Sequence, residues 1–242
     1  MGDLRAAWEA NAAAWIAWAR KPGHDSYWQF HRDLFLELVP PPSGRTLDVG
    51  CGEGRLARDL AALGHDVVAV DASSTMLAAA REAAPEMELH LADAAKLPFA
   101  DESFELVVAF MSFQDVDDLD GAVSSAARVL APGGRLCLAI VHPLNSAGSF
   151  DSRTAASLFV IEGSYLDESD IDETFERDGL AMRFVSRHRP LQAYAEALAA
   201  NGLLIERLRE PAVPEPALTG EHSARWCRIP LFLHLGALKP AG

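Results

Sequence analysis

An α/β architecture on a doubly wound, mostly parallel sheet follows from three features of the sequence. Short apolar runs alternate with amphipathic helical stretches between residues 46 and 141, the rhythm that βαβ crossovers impose. Val67-Val68-Ala69-Val70 and Leu106-Val107-Val108-Ala109 are apolar throughout, as strands covered on both faces must be. The first such run, Thr46-Leu47-Asp48-Val49, ends at Gly50, Gly52 and Gly54, a strand passing through a glycine turn into a helix.

Each element has its own local cause. Residues 4–20 are alanine-rich and bring Trp8, Trp15 and Trp18 to one helical face. Lys21-Pro22-Gly23 breaks that helix, and a second amphipathic helix is expected over 25–39, stopped by Pro40-Pro41-Pro42-Ser43-Gly44. Then come helix 54–63, strand 66–70, helix 74–83, strand 87–91, a loop, strand 104–110, helix 120–130 and strand 134–141. Ala131-Pro132-Gly133-Gly134 ends a helix and turns tightly into the last of these strands.

Residues 143–189 break the rhythm with a polar, acidic stretch and a β-hairpin from Glu173 to His188 turning at Asp178-Gly179. This segment reads as an insertion over the ligand site, with Asp167 to Glu176 as a solvated acidic loop. Helix 190–201 ends at Asn201-Gly202, followed by strand 203–208, a proline-rich loop 211–216 and an apolar strand near 226–235. The expectation is a single domain over 1–242 around a seven-stranded sheet. It comprises a helical cap (1–39), a core (40–142), the insertion (143–189) and a C-terminal helix with strands (190–242).

Composition narrows the function. Half of the 242 residues are hydrophobic, enough for a large core, and the formal charge of −14 repels phosphate backbones without any local Lys/Arg cluster to reverse it. Nucleic acid is therefore not an expected partner, and the ligand should be small and neutral or cationic. Cys51, Cys137 and Cys227 form no Cys-x-x-Cys pair, which argues against a disulfide framework or zinc site, and no metal is expected. Without an apolar window of about 18 residues or a signal-like start, the chain reads as cytoplasmic, with no membrane attachment.

The glycine loop carries the chemistry. In an open parallel sheet, ligands bind beyond the carboxyl ends of the strands, where strand order reverses. Gly50, Gly52 and Gly54 remove side chains where the backbone turns, approaches a ligand and packs under the next helix. The spacing is G-x-G-x-G; Arg55 stands where a dinucleotide fingerprint needs its third glycine, and no ATP or GTP P-loop is present. Asp48 before the glycines would be awkward beside a pyrophosphate but suits a ligand carrying an ammonium and a sulfonium. Asp71, at the end of the second strand, can accept hydrogen bonds from both ribose hydroxyls.

With Asp93-Ala94, Leu97-Pro98-Phe99 and Leu130-Ala131-Pro132-Gly133-Gly134 added to Thr46–Arg81, the stretch from about residue 44 to 142 resembles the class I S-adenosylmethionine-dependent methyltransferases. The likeness is to their small-molecule "type 11" group, which implies the Rossmann-like methyltransferase fold and S-adenosyl-L-methionine as cofactor. It also implies that Asp48 and the loop Gly50, Cys51, Gly52 and Gly54 hold the methionine part, and that Asp71 holds the ribose. Ala72 and Met76 would flank the adenine, Asp93 would meet its amino group and the Ala94 amide a ring nitrogen. Phe110 and Met111 would lie beside the transferring methyl, although both are equally consistent with plain core packing. Cys51 reads as structural.

Methyl transfer from a sulfonium needs alignment and exclusion of water, and a base only when the acceptor must lose a proton. His142, at the end of the fifth strand, and His188, in His188-Arg189-Pro190-Leu191, are the candidate catalytic bases; each could instead fix a loop. The segment around His188, with Tyr194, resembles one found in many type 11 sequences. The tryptophan stripe with Tyr27, Trp28 and Phe30 could line an acceptor pocket, although such a stripe is more often core. With the insertion's Phe150, Phe159, Tyr165 and Phe175 it favours an aromatic or apolar small-molecule acceptor, methylated on oxygen or nitrogen, while the acidic run could instead favour a cationic amine. A monomer or homodimer is expected. The alternative is an S-adenosylmethionine-binding regulator or scaffold without transfer activity. Phe110-Met111-Ser112-Phe113-Gln114-Asp115 replaces the Asn-Pro-Pro-Tyr-like segment of nucleobase amino methyltransferases, which tells against that chemistry.

Overall fold

The computed structural model describes residues 3–217 and 223–241. Seven strands form the main sheet: β1 (Arg45–Val49), β2 (Asp66–Asp71), β3 (Glu88–Leu91), β4 (Phe104–Phe110), β5 (Leu130–Val141), β10 (Leu204–Arg209) and β11 (Phe232–Leu238). Their order is β10-β11-β5-β4-β1-β2-β3; the first five strands in sequence run parallel, and β11 lies antiparallel to both β5 and β10. Strand order reverses between β1 and β4, so the crevice at their carboxyl ends is the topological switch point.

Both faces of this sheet are buried because its side chains alternate between two apolar layers. On β4, Val107 and Ala109 pack with Ala122, Val123 and Ala126 of α5 (Leu119–Val129) and Leu198 of α7 (Leu191–Ala200). Leu106, Val108 and Phe110 face the other way, onto Leu56 and Leu60 of α3 (Arg55–Ala62) and onto Phe35 and Leu38. Each such aliphatic side chain removed from water contributes about 1.5–3 kcal/mol, so the parallel core dominates stability.

The N-terminal segment lies over the crevice. Helix α1 (Leu4–Arg20) is capped by Asp3, whose side chain accepts from the Ala6 amide. Its Glu9 accepts from the hydroxyls of Ser74 and Thr75 at the start of α4 (Ser74–Ala83), at 3.2 and 2.7 Å. The helix expected over 25–39 is shorter and irregular: Tyr27–His31 forms a π-helical turn and α2 covers only Arg32–Leu36. The Arg32 amide reaches back to the Tyr27 carbonyl in a π-type bond that turns Tyr27, Phe30 and His31 inward.

Three further differences have local causes. Leu130 already pairs with Phe104, so α5 enters β5 without a loop, and the expected glycine turn is a register irregularity within the strand, with Gly133 at φ +82°. The acidic run is not a loop: Ser169–Arg177 is β8, paired with β9 (Leu180–His188) through the Asp178-Gly179 turn. Asp172 binds Arg183 across this ladder through two contacts of 2.7 and 2.6 Å. The last strand starts at Phe232, because Ser223–Cys227 forms a helical turn whose Trp226 packs edge-on against Phe150. Phe150 belongs to a small ribbon, β6 (Gly148–Phe150) with β7 (Phe159–Ile161), that follows the short helix α6 (Pro143–Ser146).

Candidate active site

A cleft of about 1160 Å³ opens at the carboxyl ends of β1, β2 and β4. Its floor is the glycine loop. The Gly50 and Cys51 amides donate to the Val70 carbonyl at 2.8 and 3.0 Å, and the Gly52 amide donates to Asp71 Oδ2 at 2.7 Å. Gly50 adopts φ +74°, and a Cβ there would sit 2.4 Å from Ser112 Cβ, so this glycine permits the loop to approach the β4 loop rather than a ligand. Gly52, at φ +57°, is different: an added Cβ would meet only Trp15 Nε1, at 3.7 Å, on the cleft side. Gly54 lies over Ala80 of α4, the close helix packing expected of the third glycine.

Two carboxylates sit beneath this loop. Asp48 is buried, its Oδ2 has no hydrogen-bond partner, and burial reinforced by the Asp71 charge pushes its pKa up to about 7. A buried carboxylate with one orphaned oxygen beside an open cleft is costly, and a cationic ligand relieves that cost. Asp71 does more than wait for a ribose. Its oxygens accept from the Gly52 and Ser73 amides, clamping the loop to β2, and burial raises its pKa despite those bonds. A carboxylate has about four acceptor positions, so acceptor capacity remains for a hydroxyl donor.

The remaining expected cofactor residues, Cys51, Ala72, Met76, Asp93, Ala94, Phe110 and Met111, all line the same cleft. Cys51 is buried, which pushes its thiol pKa well up and leaves it inert. Asp93 caps a short helical turn by accepting from the Ala95 amide at 2.9 Å. Met111 has φ +55°, a strained conformation for a non-glycine residue; its amide donates to the Ala139 carbonyl at 2.7 Å, fixing the chain where β4 and β5 end.

The two candidate bases separate. His142 is not brought to the cleft wall: Nδ1 accepts from the Leu144 amide at 3.0 Å, capping α6, and Nε2 donates to Glu210 at 2.8 Å. With both nitrogens bonded, His142 caps α6 and binds Glu210 away from the cleft wall. His188 is nearly inaccessible yet lines the cleft, with Nε2 on the Tyr165 carbonyl at 2.9 Å and Nδ1 on Ser146 Oγ at 2.7 Å.

Several wall residues carried no sequence signal. Arg55 forms a buried ion pair with Asp25 at 2.7 Å and lies over the Tyr27 and Trp15 rings, tying α3 to the N-terminal segment. Trp8, Trp15 and Trp18 do line the cleft, but with Phe184 of β9. Of the insertion's aromatics, Phe150 and Phe175 reach the wall, Phe159 backs Phe150, and the Tyr165 hydroxyl accepts from the Leu191 amide. Asp115 is half-buried on the cleft side with Gln114 Nε2 at 3.1 Å, and its desolvation lifts its pKa well above the ordinary carboxylate value. Among the described residues, no group of His, Cys, Asp and Glu is arranged to hold a metal ion, and no helix is long and apolar enough to cross a membrane.

This arrangement has relatives. Residues 47–138, from within β1 to within β5, match the family model described as "Methyltransferase domain". That stretch is similar to the methyltransferase domain of known methyltransferases. Around this stretch, the whole fold is similar to an S-adenosylmethionine-dependent methyltransferase from Mesorhizobium loti, with a TM-score of 0.70 at 25% identity over 88% of this chain and 98% of that one. A Listeria monocytogenes structure shares the fold, with a TM-score of 0.72 at 20% identity over 86% of this chain and 96% of the other.

Among curated proteins, the chain is 37% identical to demethylmenaquinone methyltransferase of Beutenbergia cavernae over 117 residues, 48% of each chain. It is 40% identical to malonyl-[acyl-carrier protein] O-methyltransferase of Methylococcus capsulatus over 125 residues, 47% of this chain and 46% of that one. The chain spans about half the length of the curated relatives it matches. The family match ends at residue 138, before the insertion that lines the cleft, so it bears on the cofactor half of the site and not on the acceptor half.

Proposed function

We propose that this protein transfers the methyl group of S-adenosyl-L-methionine to an oxygen or nitrogen of a small aromatic or apolar metabolite. The observation that carries the reading is the unpartnered Asp48 oxygen under a left-handed glycine loop clamped by Asp71, at the switch point of a methyltransferase-like domain. When bound, the cofactor supplies a methyl group already activated on sulfur.

The chain's own groups then have these roles. Asp48, with the loop Gly50, Cys51, Gly52 and Gly54, holds the methionine part, the ionised carboxylate balancing positive charge. Asp71 accepts from the ribose hydroxyls with its remaining lone pairs. Ala72 and Met76 flank the adenine, Asp93 accepts from its amino group through the oxygen not used in capping, and the Ala94 amide donates to a ring nitrogen. Phe110 and Met111 exclude water beside the reacting atoms, and His188 is the candidate base. Support for an aromatic or apolar acceptor comes from Phe150, Phe175, Trp226 and Phe232 along the wall. A polyanionic partner is disfavoured because carboxylates outnumber the three wall arginines, Arg5, Arg55 and Arg225.

Calorimetric titration with S-adenosylmethionine, S-adenosylhomocysteine and NAD tests this directly. Micromolar binding of the first two without NAD is expected, followed by transfer of labelled methyl to a member of a phenol and amine panel. Preference for NAD, or silence from both sulfur ligands, overturns the reading. Binding with no transfer to any acceptor favours the regulator or scaffold alternative.

A further inference from the structure

The geometry points to a Ser146–His188 proton relay that makes this cleft selective for a hydroxyl-bearing, phenol-like acceptor. The inference rests on the methyl-transfer reading above and adds the acceptor chemistry. His188 Nε2 faces the Tyr165 carbonyl at 2.9 Å, and a carbonyl only accepts, so the ring proton is on Nε2. In the neutral ring Nδ1 is then a lone pair, and Ser146 Oγ, 2.7 Å away, must donate its single proton there. The Pro143 carbonyl also lies within reach of that hydroxyl, but at 3.2 Å it is the weaker competitor.

The consequence falls on the serine oxygen. With its proton committed to the imidazole, half-buried Ser146 presents only lone pairs to the cleft it lines together with Met111 and the glycine loop. Such an oxygen accepts a hydrogen bond from an incoming O–H and cannot donate one. A free amine already carries its attacking lone pair, whereas a hydroxyl becomes a strong nucleophile only as its proton leaves, so a fixed relay serves oxygen methylation.

The step balances. As the acceptor oxygen bonds to the methyl carbon, the electron pair of the breaking bond stays on the sulfonium sulfur, which becomes a neutral thioether. The acceptor proton passes to Ser146 Oγ while the Ser146 proton passes to His188 Nδ1. The imidazolium keeps its Nε2–H on the Tyr165 carbonyl and returns the added proton to water after release. Ser146 is the group that touches the acceptor; His188 acts through it.

The test uses ¹⁵N-histidine-labelled protein and 4-nitrophenol as the hydroxyl probe. NMR of the unliganded protein should show His188 protonated at Nε2 and bare at Nδ1, with the Nδ1 signal moving in Ser146→Ala but staying close to wild type in Ser146→Thr. At fixed neutral pH, with S-adenosylhomocysteine present so that no transfer occurs, wild type and Ser146→Thr should raise the phenolate fraction of bound 4-nitrophenol above that in solution. Ser146→Ala and His188→Gln should lose that enrichment by about tenfold or more. A proton on Nδ1, no phenolate enrichment in wild type, or equal enrichment in Ser146→Ala overturns the relay. Failure of S-adenosylhomocysteine to bind any of these proteins, with the tautomer as expected, overturns the methyl-transfer reading itself and the relay with it.

Discussion

At the scale of single residues, two glycines of one loop do different things, and substitution separates them. Gly50→Ala places a methyl 2.4 Å from Ser112 Cβ at φ +74°, so a stability loss of about 1–3 kcal/mol is expected, read as a lowered urea midpoint. Gly52→Ala meets nothing closer than Trp15 Nε1, so its cost falls on the ligand instead. The variant should stay folded with only the strain of its left-handed backbone and bind S-adenosylhomocysteine at least about tenfold more weakly. Wild-type affinity in that variant would show that Gly52 does not face the cofactor. Asp48 makes a pH prediction. Its folded pKa, about 7, lies above the ordinary 3.8, so its contribution to unliganded stability is fully present below 3.8 and lost as pH rises through 7. A cationic ligand prefers the ionised form, so S-adenosylmethionine affinity should rise between pH 6 and 8 in wild type and stay flat in Asp48→Asn, measured by titration across that range.

At the scale of elements, the π-turn and β11 meet through a pair of buried imidazoles. His31 stacks on Phe232 with ring centres 3.7 Å apart, and its Nε2 lies 2.9 Å from His234 Nε2. Two imidazoles joined nitrogen to nitrogen need one bare nitrogen, and burial disfavours charge on either. His31 is accordingly held well below the ordinary histidine range and His234 pushed down to about 4. Depressed folded values mean that the unfolded chain binds more protons, so this stability is present above pH 6.5 and lost as pH falls toward 4. Urea unfolding at pH 7 and pH 5 should reveal that loss in wild type, and the double substitution His31→Phe with His234→Phe should reduce it. An unchanged pH dependence in the double variant would place the acid sensitivity elsewhere.

At the scale of the whole molecule, a chain of formal charge −14 focuses a negative field into a cleft whose wall holds more carboxylates than guanidinium groups. Raising ionic strength from 0.01 to 0.15 M shortens the screening length from about 30 to about 8 Å. The affinity for S-adenosylmethionine should therefore fall over that range, and more steeply than the affinity for S-adenosylhomocysteine, which lacks the sulfonium charge. Equal salt dependence of the two, by calorimetry, would remove the electrostatic contribution to cofactor choice. Helix α1 closes over the crevice with Glu9 bound to the Ser74 and Thr75 hydroxyls and Arg20 bound to Glu53, while its Arg5 adds a positive charge to the wall.

The sequence by itself determined the parallel core and the cofactor loop, because both rest on short-range causes. A strand buried on both faces is apolar throughout, and a left-handed turn at a strand end favours glycine, so β4, α4 and the Gly50–Gly54 loop are legible from a few adjacent residues. Tertiary structure decided the acceptor half, where each function depends on groups far apart in the chain. Ser146 finds His188 across 42 positions, Tyr165 sets the tautomer from 23 positions away, and Arg55 reaches back 30 to Asp25. His142 and His188 look alike in sequence. Only the fold gives one a helix to cap and a glutamate to bind, and leaves the other on the cleft wall with a serine at its bare nitrogen, because hydrogen-bond partners are assigned by packing and not by spacing along the chain.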